Sequence, residues 1–335
     1  LMLADKQDCA DYVRRLWDDG KTDDEIRASV RAAIDDAEPV TMTGGAGQLA
    51  GEIESIIAGK TATVPLRWRL TSALTNALKP GTVTMLCGNP GASKSFMLLE
   101  QFASWHDAGY QAAIFCLEES KTYHLRRINA QRAGLAGLTE DNWVSVNPEL
   151  ARAAVEQHEK FIDSIAEKVW VCPDTQPTLD ELADWVEARC RDGFRVVCID
   201  PITGTRDATP YTWREDSNFL HRVKRSATQC GSSIVLVTHP VKSVAFADLN
   251  SLARSAAYGR FAQTAVWLES HAEKESTILT DLGRTKILHN RTLHLLKCRN
   301  GRGQGLKLAF QFESETLRLR ELGTIYKEKR SSSDD

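Results

Sequence analysis

The amino-acid sequence indicates an α/β fold in which a central, mostly parallel sheet is flanked by helices and continues into an antiparallel extension near the C-terminus. Between residues 83 and 238, apolar runs of strand length alternate with longer helical patterns, as repeated strand–helix–strand units do. After Phe261, strand-like segments follow one another without a helix between them, which is typical of antiparallel hairpins. The 335 residues are 42% hydrophobic and 26% charged, a composition that can build a large core.

The strands and helices of this fold are predicted from hydrophobic periodicity. The parallel strands are expected at residues 83–87, 112–117, 168–172, 195–200 and 233–238. The helices are expected at residues 49–58, 95–107, 121–132, 148–165, 179–191 and 213–229. The antiparallel strands are expected at residues 265–268, 292–297, 306–312 and 316–321.

Composition divides the chain into four segments. Residues 1–38 are acidic and helical in pattern and are expected to form a small appendage. Residues 39–50 combine Pro, Gly and Thr without periodicity, as linkers do, and residues 51–323 are expected to form the main domain. Residues 324–335 end in KEKRSSSDD and are expected to be a disordered tail, while the LMLA start indicates a segment of a longer chain or an expression scar.

Charge and cysteine usage exclude several classes of protein. The 42 Lys and Arg residues against 45 Asp and Glu give a net charge of −3, which excludes a surface that is wholly a platform for nucleic acid or anionic membranes but allows a locally basic channel. No apolar run approaches the ~20 residues that span a bilayer, and the first residues lack a basic region followed by an apolar stretch, so we expect a cytoplasmic protein without membrane contact. The eight cysteines are dispersed and none forms a C-x-x-C pair, which argues against a zinc or redox site.

The strongest motif is a glycine-rich segment that lies directly after the first apolar run and directly before a helical pattern. It consists of Gly88, Asn89, Pro90, Gly91, Ala92, Ser93, Lys94 and Ser95. In a phosphate-binding loop (P-loop), backbone N–H groups surround a phosphate, the lysine reaches the β- and γ-phosphate oxygens, and the last hydroxyl holds Mg²⁺. The pattern G-x-x-x-x-G-K-[ST] has glycine where this chain has Ser93. We expect nucleotide binding here, and the simpler alternative is a glycine-rich turn before a helix.

A carboxylate follows the apolar run at residues 195–199. Asp200 is expected at the carboxyl edge of the parallel sheet, beside the glycine-rich loop, where it can hold Mg²⁺ through its water shell. An aspartate after a strand is more often a turn residue. The Mg²⁺ role is therefore inferred only because the glycine-rich loop also occurs upstream in the sequence.

The order of further motifs resembles that of the RecA-like P-loop ATPases. Residues 112–120, AAIFCLEES, resemble the segment of that family that ends in a glutamate acting on the attacking water, and Glu118 stands at the matching position, with Glu119 as the fallback. A carboxylate there can orient and partly deprotonate the water, whereas the alternative role is that of an acid favoured by the helix dipole. Residues 233–240, SIVLVTHP, resemble the strand that ends in a sensor of the γ-phosphate, which would be His239; the alternative is an ordinary hydrogen-bonded histidine.

A late segment narrows the resemblance to hexameric helicases. Residues 295–301, LLKCRNG, resemble the K-x-R-N-G segment of DnaB-like replicative helicases and of plasmid helicases of the RepA type. The resemblance implies that Lys297 and Arg299 reach the nucleotide of the neighbouring subunit, where an arginine neutralises charge on the transferring phosphoryl group. The alternative is that the two side chains form a solvated face of an edge strand.

The likeness to these helicases extends over residues 51–323. A weaker likeness concerns residues 6–12, KQDCADY, which resemble the K-D-A-N-D-Y segment that closes Toprim primase domains, with Gln7 and Cys9 as departures. It implies that the chain is the helicase half of a primase-helicase, although an amphipathic helix explains these residues nearly as well.

The family resemblance implies an ATPase that assembles as a ring, expected to be a hexamer, and uses ATP and Mg²⁺ to move on single-stranded DNA and separate strands in DNA replication. Candidate DNA-binding residues lie in two loops and comprise Arg206, Arg214, Lys242, Arg254 and Arg260. Solvated surface charges are the alternative for each of them. Two rival functions stay open: a RecA-type recombinase or mediator that forms filaments without unwinding, and a nucleotide-controlled regulatory protein with little turnover, which Ser93 would suit.

Overall fold

The computed structural model of the chain describes residues 9–35, 45–59, 61–172, 175–207, 212–240, 247–249, 256–280 and 283–326. The chain divides into two units, Leu1–Lys60 and Thr61–Asp335. Each unit is one continuous stretch of the sequence, and most contacts of its residues lie within that unit.

The first unit is helical in its described part. It holds α1 (Cys9–Asp18), α2 (Asp23–Asp35) and α3 (Gly45–Ile57). Thr22 caps α2: its hydroxyl accepts a hydrogen bond from the Glu25 N–H at 3.4 Å, and the Glu25 carboxylate accepts one from the Thr22 N–H at 2.8 Å. Residues 45–50, assigned by composition to a linker, instead begin α3, because apolar residues at helical spacing further along extend the helix back through the small Gly and Ala residues. The predicted boundary at residue 51 therefore lies inside a helix.

Five short strands form the parallel part of a sheet in the second unit. They are β1 (Thr82–Cys87), β2 (Ala112–Cys116), β3 (Val169–Val171), β4 (Val196–Asp200) and β5 (Ser233–Thr238). They are hydrogen-bonded in the order β3-β2-β4-β5-β1, and every pair is parallel. All five predictions are confirmed to within one residue at either end. The strands read as continuous apolar runs because helices cover both faces of the sheet.

The described helices of this unit are α4 (Arg69–Thr75), α5 (Lys94–Asp107), α6 (Lys121–Ala133), α7 (Asp141–Val146), α8 (Pro148–Ala166), α9 (Leu179–Arg191), α10 (Thr212–Cys230) and α11 (Ala256–Phe261). On one face of the sheet, Phe102 of α5 belongs to a core with Ile114 of β2. On the other face, Val186 of α9 and Val223 of α10 belong to a core with Val197 of β4. The helices α4, α7 and α11 were not predicted, since six or seven residues are too few to show a period. Within the described ranges, none of the helices combines the length and apolar character needed to cross a membrane.

The antiparallel extension begins with β6 (Thr264–Thr280), which lies parallel to β1, and continues through β7 (Gly283–Cys298), β8 (Lys307–Glu313) and β9 (Arg318–Ile325). The first two strands are much longer than the predicted 265–268 and 292–297. Their outer parts are polar and largely exposed, so strand pairing rather than a burial pattern defines them. Ile325 pairs with Ile278, which means that residues 324 and 325, assigned to a disordered tail, belong to a strand.

Candidate nucleotide-binding site

The glycine-rich loop, residues 88–93, connects the end of β1 to the start of α5. A Cβ at Gly88 would lie 2.3 Å from the backbone oxygen of Leu268 in β6, so only glycine fits at this position. Gly91 has a φ of 75°, and Ser93, at the N-cap of α5, has a φ of 73°. Backbone turns of this left-handed kind, at the N-terminus of a helix, form the concave arrangement of N–H groups that binds anions.

Lys94, the first residue of α5, is buried against its own loop and only 6% exposed. Its Nζ donates hydrogen bonds to the Gly88 oxygen at 2.8 Å and to the Asn89 oxygen at 3.1 Å. The same atom lies 3.3 Å from His239 Nδ1. Burial lowers the pKa of Lys94, and the nearby Asp200 carboxylate opposes that change. A buried ammonium beside an anion-binding loop suits the phosphates of a nucleotide.

Asp200 ends β4 at the carboxyl edge of the sheet and is 5% exposed. Burial raises the pKa of its carboxyl to about 6, although a hydrogen bond from Ser95 and the charge of Lys94 act in the opposite direction. A carboxylate and a hydroxyl are oxygen ligands of the kind that Mg²⁺ prefers, so Ser95 and Asp200 fit that ion. In the part of the chain that the structure describes, no group of three or more His, Cys, Asp or Glu side chains could hold a metal.

Glu118 and His239 follow β2 and β5, the two strands that flank β4 in the sheet. Glu118 Oε1 lies 3.8 Å from His239 Nε2, and 57% of the Glu118 side chain is exposed. Burial lowers the pKa of His239, the charge of Lys94 lowers it further, and Glu118 opposes both effects. The imidazole therefore has Glu118 at one ring nitrogen and Lys94 at the other.

The loop and the strand ends enclose a cleft of about 330 Å³. Its lining includes the predicted residues from Pro90 to Ser95, with Glu118, Glu119, Asp200 and His239. Two further lining residues, Tyr123 and Arg127, belong to no motif. The Arg127 guanidinium carbon lies 4.1 Å from the centroid of the Tyr123 ring, and its charge lowers the pKa of Asp200. Their spacing of four residues places both on one side of α6, but no local pattern marks them as site residues.

Lys297 and Arg299 lie at the opposite edge of the sheet from the cleft. The Nζ of Lys297 donates to the backbone oxygens of Gly259 at 2.7 Å and Arg260 at 3.2 Å, and burial lowers the pKa of Lys297. The exposed Arg299 donates its backbone N–H at 2.9 Å to the oxygen of Gln263, which is hydrogen-bonded to Val83, the second residue of β1. The glycine-rich loop begins about five residues further along β1, or roughly 16 Å at the rise of a strand. Within one chain, these two side chains therefore do not join the cleft.

Arg206, predicted to contact DNA, is paired within the chain. Its Nε donates to the Gln176 oxygen at 2.9 Å, and its Nη2 lies 3.4 Å from the Glu181 carboxylate. The Arg206 side chain is 48% exposed, so solvent screens the ion pair and a phosphate could compete with it.

The other candidate DNA-binding residues are only partly described. Arg214 is exposed, and its guanidinium carbon lies 5.2 Å from the ring centroid of Trp213, which is itself 58% exposed. Arg260 is exposed at the end of α11. Lys242 and Arg254 lie outside the described residues. The exposed pair of Trp213 and Arg214 thus joins an aromatic ring to a cation, the two groups that suit a nucleic acid.

The AAA domain family matches residues 55–245, a range that includes the glycine-rich loop, Glu118, Asp200 and His239. The match extends over more than half of the 335 residues. The chain belongs to the AAA domain family. Its AAA domain combines the phosphate-binding loop, the buried lysine and the strand-end carboxylate of a P-loop ATPase. The chain is accordingly a P-loop ATPase.

Solved structures share the architecture around this AAA domain. One of them, a structure of an ATPase domain, superposes with a TM-score of 0.63 at 14% sequence identity, over 84% of this chain and 99% of its own. A DnaB-like replicative helicase, described with its interactions with primase, superposes with a TM-score of 0.61 at 13% identity, over 93% of this chain and 74% of its own. No curated protein matches the chain. The structural likeness confirms the expected RecA-like fold with its mostly parallel sheet and antiparallel extension.

Proposed function

We propose that the chain is an ATP-dependent ring helicase that assembles as a hexamer, translocates on single-stranded DNA and unwinds duplex DNA in replication. One observation carries the proposal: Lys94, Asp200 and Glu118 meet in one cleft, whereas Lys297 and Arg299 lie at the opposite edge of the sheet. One edge of the sheet thus holds the nucleotide-binding part of a hydrolysis site, and the opposite edge holds the basic residues that complete it. A second copy of the chain can bring its basic residues to the cleft of the first. Repetition of such a head-to-tail contact closes into a ring.

The residues of the cleft divide the work of ATP hydrolysis. Lys94 and the N–H groups of the loop bind the β- and γ-phosphates. Ser95 and Asp200 would hold Mg²⁺, which when bound neutralises charge on the phosphates. Glu118 orients a water for in-line attack on the γ-phosphorus and accepts its proton, while the bond to the β-phosphate oxygen breaks and ADP leaves. His239, between Glu118 and Lys94, transmits the state of the γ-phosphate to the loop after β5.

The proposed contacts with DNA combine basic and aromatic side chains. Arg214 with the exposed Trp213 can bind a backbone phosphate and stack a base, an interaction worth about 1 to 3 kcal/mol per base. The other proposed contacts are Arg206, Lys242, Arg254 and Arg260. Residues 1–38 are proposed as the end of a primase module, on the short resemblance of residues 6–12, of which residues 6–8 lie outside the described ranges.

The test is steady-state ATP hydrolysis with and without single-stranded DNA, for the wild type and Lys94→Ala, together with particle size in each nucleotide state. We expect hydrolysis that DNA stimulates and that Lys94→Ala abolishes, a ring-sized particle, and unwinding of a forked duplex. Tight ATP binding without hydrolysis would overturn the helicase proposal and indicate the regulatory protein. Filaments that hydrolyse ATP on DNA without unwinding would indicate the recombinase or mediator.

A matched pair of variants identifies the carboxylate that acts on water. Glu118→Gln should lower kcat by at least about 100-fold while ATP binding persists, because the amide cannot accept a proton. Glu119→Gln removes the neighbouring charge, and we expect it to lower kcat by less than about tenfold. The reverse order of effects would assign the water to Glu119.

A further inference from the structure

Ser93 occupies the position at which the pattern of the phosphate-binding loop has glycine. Its backbone is left-handed, with φ of 73° and ψ of 24°, a conformation that costs a residue with a Cβ about 1 kcal/mol or more. Ser93 is the N-cap of α5, yet its hydroxyl makes no capping hydrogen bond to that helix. The hydroxyl instead accepts hydrogen bonds from Arg291 of β7, at 3.0 Å from Nη2 and at 3.4 Å from Nε. The departure from glycine thus has a specific partner 198 residues away.

Arg291 is held at this place by three kinds of contact. Besides the bonds to Ser93, its Nη1 donates to the Asn290 oxygen at 2.8 Å, and its guanidinium carbon lies 5.0 Å from the centroid of the Phe312 ring. These hydrogen bonds use three of the five N–H donors of the guanidinium. Among the described residues, its hydrogen-bond partners include no carboxylate. Arg291 therefore brings a positive charge, which no carboxylate of the described residues neutralises through a hydrogen bond, next to a loop that can bind phosphates.

We propose that Arg291 is a positioning residue for the nucleotide-binding loop, which it holds in its anion-binding form through the hydroxyl of Ser93. The inference rests on the nucleotide binding proposed above. Serine in place of glycine costs backbone energy, and two charged hydrogen bonds offset that cost while tying the loop to the sheet. Glycine at the same position would need no such partner, because it adopts the left-handed conformation freely.

The contact also connects two sites along one strand. Arg291 contacts the loop of its own chain, and Lys297, proposed to reach the nucleotide of a neighbouring subunit, follows six residues later on the same β7. Six residues of strand span roughly 20 Å. A displacement of β7 by the nucleotide of one subunit would therefore reach the residues proposed to act on the next nucleotide.

The test is a double-mutant cycle on the full chain with Ser93→Gly, Arg291→Gln and the double variant. The measured quantity is the Kd of a fluorescent, non-hydrolysable ATP analogue with Mg²⁺. We expect Arg291→Gln to weaken binding about tenfold when residue 93 is serine and less than about threefold in the Ser93→Gly background. The Kd of Ser93→Gly alone is the reference for the glycine background. Arg291→Lys keeps the charge but loses the planar guanidinium, so we expect its Kd to lie between those of the wild type and Arg291→Gln.

A control on the same strand separates this role from a general loss of charge or stability. Lys286→Gln also removes one positive charge from β7, but Lys286 is 72% exposed and paired with Glu275 at 2.8 Å. We expect its Kd to equal that of the wild type. Thermal unfolding of each variant shows whether it is folded. If Arg291→Gln does not fold, Arg291→Lys replaces it in the double-mutant cycle.

The outcomes distinguish failure of the inference from failure of the proposed function. Equal effects of Arg291→Gln in the serine and glycine backgrounds, with a wild type that binds the analogue, would overturn the positioning role alone. A wild type that fails to bind the analogue would overturn the proposed function and this inference together. For hydrolysis, we expect Arg291→Gln to raise KM for ATP more than it lowers kcat, since its target is the binding loop. A loss confined to kcat would contradict the inference.

Discussion

Replacing Asp200 with asparagine should stabilise the protein while abolishing its activity. Burial raises the pKa of the Asp200 carboxyl to about 6, from the 3.8 of a solvated aspartate. Because the folded state binds this proton more tightly than the unfolded state, the ionised carboxylate opposes folding above pH ~6. A shift of one pKa unit corresponds to about 1.4 kcal/mol. The ionised carboxylate therefore lowers the free energy of unfolding by about 3 kcal/mol near neutral pH. The cost disappears as the pH falls from about 6 toward the value of the solvated acid.

The assay is urea unfolding of the wild type and Asp200→Asn over a series of pH values. We expect the variant to exceed the wild type in free energy of unfolding by about 3 kcal/mol near pH 8 and by about half of that near pH 5. Glu156→Gln removes an exposed carboxylate of α8 and should change stability by less than about 0.5 kcal/mol throughout. Hydrolysis of ATP with Mg²⁺ should be lost in Asp200→Asn, because the neutral amide is a poor ligand for that ion. An Asp200→Asn variant less stable than the wild type near pH 8, or a difference that does not shrink with falling pH, would refute the reasoning.

Three further experiments test other parts of the molecule. Gly88→Ala places a Cβ 2.3 Å from the Leu268 oxygen, so we expect a loss of about 3 kcal/mol in urea unfolding; a loss below about 1 kcal/mol would mean that β6 yields easily. Lys94→Ala and Arg299→Ala subunits, each inactive alone, should regain DNA-stimulated hydrolysis when mixed, because one contributes the intact loop and the other the arginine; mixtures as inactive as their components would contradict action between subunits. Arg222→Ala removes the guanidinium that binds three carboxylates of α9, and thermal unfolding should show a loss of about 1 to 2 kcal/mol with the affinity for ATP unchanged.

Residues of the cleft that follow parallel strands could be predicted without the structure. Asp200, Glu118 and His239 each stand at or just after the carboxyl end of a continuous apolar run, and such ends meet at one edge of a parallel sheet. The apolar runs are sufficient to predict these strand ends, because each strand is short and buried on both faces and therefore stands out as a continuous apolar segment. The segments that were misassigned are those without such a pattern, above all the long polar arms of β6 and β7.

Contacts between distant segments could not be read from local patterns. Tyr123 and Arg127 line the cleft only because α6 packs beside it, and nothing in their own neighbourhood marks them as site residues. The opposite placement of Lys297 and Arg299 follows from the antiparallel return of β7 along β6, which reverses the direction of the chain. Their motif indicated a role but not the edge of the sheet on which they lie.

Ser93 and Arg291 show most clearly which features local sequence determines and which features depend on tertiary structure. Hydrophobic periodicity and the glycine-rich motif, both properties of neighbouring residues, determine the parallel strands, the helices between them and the loop in which Ser93 stands. The partner of Ser93 comes from 198 residues away, because the register of β7 in the extension brings Arg291 to the loop. Side-chain partners of this kind depend on the packing of whole elements, which no local stretch of sequence encodes, and so the tertiary structure alone decides them.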